Sequence, residues 1–120
     1  MSHVKTVLVN HPGPLPISVQ YTPTADVSEA IWFCGSVRTG DLASKPIGFE
    51  LKVNGESVGK SLICTQDTNN AHKATVPTMV SYDIPFVVKD GKVQPVMIEL
   101  VGTWDAYATE EDFFNVSIFE

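Results

Sequence analysis

The 120-residue sequence predicts an all-β fold: one domain spanning 1–120, built as a β-sandwich of the jelly-roll kind. Three observations predict it. Apolar residues alternate with polar ones along several segments, the period-two signature of strands with one buried face. Two hairpin dipeptides, Asn54-Gly55 and Asp90-Gly91, each stand between such segments. Turn-rich stretches (HPGPLP, TPTAD, TGDLASKP, TQDTNNAHK and GTWDAYATEED) recur at roughly the 8–12-residue spacing of a sandwich or barrel.

In chain order, β-branched and aromatic enrichment places strands at about Lys5–Val9, Ile17–Thr22 and Ala30–Arg38. The segment IGFELKVN is the clearest of all. Ile47, Phe49, Leu51 and Val53 face one way, and Glu50, Lys52 and Asn54 face the other. Asn54-Gly55 then turns the chain into a return strand at about Glu56–Cys64. Shorter strands are expected at Ala74–Val76 and Val80–Ile84. A second hairpin joins FVVK to KVQPVMIEL through Asp90-Gly91. Val96, Ile98 and Leu100 form its core face, and Pro95, which cannot donate to a ladder, marks an edge or bulge. The last strand is Phe113–Phe119, where Phe114, Val116 and Ile118 alternate with Asn115 and Ser117. Only SEAIWF and ATEED suggest helix, and both are too short for a regular one. The long connections at 39–46 and 65–73 suit Greek-key crossings, which favours a jelly roll over a closed barrel. Its edges need cover, so a homo-oligomer is expected.

A hydrophobic fraction of 43% with 18% charge excludes a disordered chain, and the length supplies one core. Residues 1–98 hold eight acids and eight bases, so the net charge of −6 sits wholly in Glu99, Asp105, Glu110, Glu111, Asp112 and Glu120. An acidic excess argues against nucleic acid as a partner. The N-terminus lacks the basic start, apolar run and cleavage site of a signal peptide, which points to the cytoplasm or to non-classical export. No stretch reaches the roughly 20 apolar residues of a membrane-spanning helix. Starting at Met and ending in a strand pattern, the chain reads as a complete small protein. Cys34 and Cys64 sit in apolar runs and read as reduced, buried thiols.

Catalytic signatures are missing. His3, His11 and His72 are far apart and form no paired metal-ligand motif, and His72 reads as an exposed loop residue. There is no Gly-x-Ser-x-Gly and no glycine-rich phosphate loop. Glu110-Glu111-Asp112 reads as a solvated acidic run rather than an acid/base pair, and the sequon at Asn115 falls on a strand. No catalytic residue is assigned, and the chain is not expected to be an enzyme.

One loop combines the chemistry of a binding site. Between the last two long strands, Gly102–Asp112 gathers Trp104 and Tyr107 with Asp105, Thr109, Glu110, Glu111 and Asp112. Aromatic rings stack on the C–H face of a sugar, and carboxylates accept from its hydroxyls. Trp104, Asp105, Tyr107, Thr109 and Asp112 are therefore the candidate ligand-binding residues. Clustered oxygen donors also suit Ca²⁺, for which Asp105, Glu110 and Asp112 are the candidate ligands. The loop does not follow the EF-hand pattern. A second reading stays open: Trp104 folds back as a core plug and the acids keep the loop soluble. The polar loop Thr65–Lys73 is a possible extension of the site or only a crossing turn.

The opening TVLVNHPGPLPISVQYTPTADVSEAIWFCGSVRTG and the close GTWDAYATEEDFFNVSIFE resemble small galactose-binding-type bacterial lectins in strand order and turn placement. That resemblance implies a compact β-sandwich with Ca²⁺ and sugar on the loop before the final strand. The middle, roughly 40–95, matches no motif of the family. Glu110-Glu111 replaces the family's Asp/Asn pattern, so its calcium ligands do not carry over one by one. The same strand pattern also looks like trimeric jelly rolls of the tumour-necrosis-factor or complement-head type. The sequence thus supports a non-enzymatic, lectin-like carbohydrate-binding module, with a jelly-roll assembly subunit lacking a small ligand as the alternative.

Overall fold

Wherever apolar and polar residues alternate, the chain runs as strand and its apolar set turns inward. The computed structural model describes residues 4–24, 30–38, 47–63, 72–104 and 106–120, with backbone alone for 72 and 73. Its strands are β1 (Val4–Pro12), β2 (Ile17–Tyr21), β3 (Ala30–Arg38), β4 (Gly48–Val53), β5 (Glu56–Leu62), β6 (His72–Ala74), β7 (Thr78–Ser81), β8 (Val88–Lys89), β9 (Lys92–Val93), β10 (Val96–Gly102) and β11 (Phe113–Phe119).

The long strands form two antiparallel sheets. The first runs β1-β11-β3, and β6 and β7 share the far edge of β3, β6 against residues 36–38 and β7 against 30–33. The second runs β2-β10-β4-β5, while β8 and β9 form a separate hairpin. The core lies between the two sheets. Ile31, Phe33, Phe114, Val116 and Ile118 of the first sheet and Phe49, Leu51, Val53, Ile98 and Leu100 of the second are sealed from solvent. Phe49 stands edge-on to Phe33 (ring centroids 5.9 Å apart) and to Phe114 (5.0 Å), so one ring joins the sheets at two points. Each such edge-to-face pair adds about 0.5–1.5 kcal/mol to the area it buries. This is the all-β sandwich that the alternation predicts.

The turns follow their chemistry. Asn54 (φ 50°) and Gly55 (φ 83°) join β4 to β5, and Asp90 (φ 52°) and Gly91 (φ 76°) join β8 to β9. Paired positive φ angles are those of a type I′ turn, whose twist matches the strands it connects. Pro95 falls in the break between β9 and β10, as a residue without an N–H donor should.

Some expectations shift. The strands placed at Ala74–Val76 and Val80–Ile84 run instead at His72–Ala74 and Thr78–Ser81, because β3 offers one edge to both and Pro77 separates them. His72 therefore starts a strand rather than lying in a loop, and His11 also lies on a strand, β1. Cys34 carries a free thiol that is half-buried, not buried, because it occupies an outward position of β3. Cys64, His3 and most of the 39–46 and 65–73 connections lie outside the described residues. No helix among the described residues is long and apolar enough to cross a membrane.

The two ends of the sandwich differ. At one, the β4–β5 turn is tied to β10 by Asn54 N–H on the Met97 carbonyl (2.9 Å) and Met97 N–H on Asn54 Oδ1 (2.9 Å). β10 then carries the chain to the other end, where the loop 103–112 lies.

Candidate functional site

The loop begins under tight control. Thr103 is buried, and its hydroxyl and backbone both grip Gly48 at the start of β4. Gly48 N–H donates to Thr103 Oγ1 (2.9 Å), and Thr103 N–H donates to the Gly48 carbonyl (3.0 Å). A side chain at Gly48 has no room, since its Cβ would stand 1.9 Å from the Ser61 carbonyl oxygen. Next comes a four-residue turn closed by Ala106 N–H on the Thr103 carbonyl (2.8 Å). Trp104 holds its second position with φ at 46°, a left-handed conformation that is an outlier for a bulky residue.

That conformation keeps Trp104 out of the core. The residue is 52% exposed, which corrects the reading of Trp104 as a core plug. Among the loop's described residues, the apolar side chain that is buried is Ala108. Trp104 lies toward the outer face of the second sheet, with the Lys60 ammonium 5.7 Å from its ring centroid. A cation there is drawn to the electron-rich ring face, for about 0.5–1 kcal/mol at an exposed site. Lys60, on β5, is a neighbour that loop reasoning alone does not supply.

After Trp104 the loop crosses to the first sheet. Tyr107 pairs with the end of β3, Arg38 N–H donating to its carbonyl (2.8 Å) and Tyr107 N–H to the Arg38 carbonyl (2.9 Å). Its backbone is fixed while the residue stays 45% exposed. Thr109 and Asp112 then cap each other. Thr109 N–H donates to Asp112 Oδ2 (2.8 Å), Asp112 N–H donates to the Thr109 carbonyl (3.0 Å), and Glu111 N–H donates to Thr109 Oγ1 (3.2 Å). Glu110 is exposed at the tip of this turn.

Asp112 does not stand on the surface with the other acids. It is fully buried, with Ser36 Oγ donating to Oδ1 (2.9 Å) and Arg38 Nε donating to Oδ2 (3.0 Å). Arg38 also reaches Glu111 Oε2 through Nη2 (3.1 Å), so one guanidinium spans two adjacent carboxylates. Burial alone would push the Asp112 carboxyl up. The hydrogen bonds from Thr109 N–H, Ser36 and Arg38, together with the Arg38 charge, outweigh burial and hold it below the usual carboxylate range. The sequence signal for this arrangement is that Arg38 is the chain's single arginine. It ends a strand, where a forked cation can divide itself between two acceptors.

Asp112 is poorly placed as a metal ligand. Both Asp112 oxygens are engaged, and the guanidinium already supplies the positive charge that a cation would bring. Among the described residues no three His, Cys, Asp or Glu side chains converge as metal ligands. Asp105 lies outside the described residues. At Cys34, burial pushes the thiol up against an opposing hydrogen bond with Asn115, contrary to what an activated nucleophile needs.

The site thus consists of an exposed tryptophan and tyrosine on a loop bonded to both sheets, Thr109 and Glu110 at its outer turn, and a buried ion pair beneath. No protein-family model matches the chain, and no curated protein matches it. A solved structure described as the EclA C-terminal domain, a sugar-binding protein, aligns with TM-score 0.46 and 11% identity over 100% of this chain and 77% of its own. A family 35 carbohydrate-binding module from Clostridium thermocellum aligns with TM-score 0.42 and 8% identity over 98% of this chain and 86% of its own. The structure of infectious bursal disease virus Gx strain aligns with TM-score 0.28 and 11% identity over 99% of this chain and 33% of its own. Two of the three are sugar- or carbohydrate-binding by description, and likeness this slight transfers neither residue nor ligand.

Proposed function

We propose that this chain is a non-enzymatic carbohydrate-binding module that holds its ligand on the 103–112 loop. The single observation that carries the reading is Trp104: a large aromatic, kept half in solvent by a left-handed backbone, on a loop bonded to both sheets. An exposed ring held in place offers the apolar face of a sugar a stacking surface with little ordering penalty. Tyr107 supplies a second exposed aromatic, and Thr109, Asp105 and Glu110 supply hydrogen-bonding groups for hydroxyls. Asp112 acts here as a positioning residue, through Thr109, Ser36 and Arg38. A cation on this loop would draw on Asp105 and Glu110 and leave Asp112 to its guanidinium.

The strand order supports reading the sandwich as a jelly roll, since the chain passes repeatedly between the sheets β1-β11-β3-β6/β7 and β2-β10-β4-β5. In that arrangement the loop between the last two long strands closes one end of the sandwich.

A glycan array probed with wild type, Trp104→Ala and Asp105→Ala, with and without EDTA, tests the proposal. Wild type is expected to bind a defined set of glycans, and Trp104→Ala to lose at least about tenfold in affinity while keeping its thermal stability, in line with an exposed aromatic anchor. No binding by wild type, or binding indifferent to Trp104→Ala, overturns it. Loss of binding both in EDTA and in Asp105→Ala assigns a cation to this loop.

A further inference from the structure

The outer faces of the two sheets differ in chemistry. On the second sheet, outward positions carry opposite charges in register: Glu99 faces Lys52 and Glu50 faces Lys60. Such ladders suit a water-covered surface. On the first sheet the outward positions alternate with the sealed Ile31, Phe33, Phe114, Val116 and Ile118. Trp32 of β3 lies between Ser117 of β11 and Met79 of β7, and Phe119 lies beside Val4. Val4 (55%) and Met79 (56%) are more than half exposed. Along β3 the outward positions carry no charge until Arg38 at the loop end, which is already paired with Asp112 and Glu111.

We propose that this uncharged face docks a second copy of the chain, face to face. It is a different surface from the 103–112 loop and does not depend on the ligand reading. Charge decides the occupant. The chain carries −6 overall, yet Glu99 lies on the opposite sheet, Glu110 and Glu111 stand at the loop end, and Glu120 accepts from Tyr21 and Thr24. Among the described residues, two copies meeting here therefore bring few like charges together, whereas a strongly charged partner finds little to pair with. Depletion of charge with retention of aromatic residues and Met is the composition of an interface centre.

Area sets the strength. Four strands spaced about 4.8 Å apart, each rising about 3.3 Å per residue over roughly seven residues, give a face near 19 by 23 Å, or about 440 Å² per copy. Two copies together hide about 900 Å², a little under the roughly 1,000 Å² expected of a stable interface. An interface of that size belongs with the weak, transient ones, so the dimer is expected to be concentration-dependent.

Sedimentation velocity of the full chain from about 1 to 500 µM tests it, a span wide enough to reveal weak, transient association. The expected result is a reversible rise from the 13.1 kDa monomer toward twice that mass. Met79→Glu places a charge in the face and is expected to raise the dissociation constant at least about 100-fold. Because Met79 is more than half exposed, its far-UV circular dichroism and melting temperature should match wild type. Gln20→Glu, on the outward side of β2, should change nothing. A wild type that stays monomeric throughout overturns the proposal, as does a dimer indifferent to Met79→Glu. Co-sedimentation of that monomer with phosphatidylcholine vesicles would assign the face to a bilayer instead.

Discussion

Removing the Asp112 carboxylate takes the acceptor from three donors at once: the Thr109 N–H, the Ser36 hydroxyl and the Arg38 Nε–H. Asp112→Ala is therefore expected to destabilise the protein by roughly 3 kcal/mol, the scale for breaking a buried pair by removing one partner. Urea denaturation measures it. Glu111 sits one residue earlier and touches the same guanidinium, but its side chain is 82% exposed. Glu111→Ala should fall within about 1 kcal/mol of wild type, the ordinary value of a surface pair. A comparable loss for both would show that the ion pair is not what holds the loop. Neighbouring acids thus differ because of where Arg38 lies, 74 residues away in sequence for Asp112. No local pattern carries that information. The run Glu110-Glu111-Asp112 looks uniform as text, and only the end of β3 divides it into two exposed carboxylates and one buried anchor.

The strands show why parts of the fold were legible and parts were not. β4, β10 and β11 each have one face on the core and one outside, so alternation alone names Phe49, Leu51, Ile98, Leu100, Phe114 and Val116 as buried. The expected limits of β3 and β11 agree with Ala30–Arg38 and Phe113–Phe119. β6 and β7 were harder, because short strands on a shared edge are defined by their partner more than by their own residues. The two hairpins were legible from Asn54-Gly55 and Asp90-Gly91, and they carry a prediction at this scale. Gly55→Ala puts a side chain at φ 83° and should destabilise the protein by about 1 kcal/mol, since β4 and β5 are part of a core sheet. Gly91→Ala meets similar strain at φ 76°, but among the described residues β8 and β9 pair only with each other. Its effect should appear as faster amide exchange in that hairpin, with little change in global stability. Equal effects on the melting temperature would contradict this division.

At the scale of the molecule, two depressed carboxyls set the response to acid. Asp112 is held low as described, and at Glu120 hydrogen bonds from Thr24 and Tyr21 and the charge of Lys5 outweigh the raising effect of burial. Both groups bind protons more readily in the unfolded chain, where Asp titrates near about 3.9 and Glu near about 4.3. Their stabilisation is therefore fully present above the unfolded values and is lost as pH falls through the lower folded ones. Unfolding free energies at pH 6, 4 and 3 should decline in that order, and Asp112→Asn should flatten the slope. A profile level down to pH 3 would refute the assignment.

The β8–β9 hairpin has a use beyond its strain. It lies outside both sheets, just before β10, whereas the candidate site follows β10 at the opposite end of that strand. Val88, Lys89, Asp90, Gly91 and Lys92 are all exposed there. The chain thus carries a natural handle: a tether, fluorophore or fused domain spliced between Asp90 and Gly91 would project away from the ligand loop and leave the register of β10 unchanged.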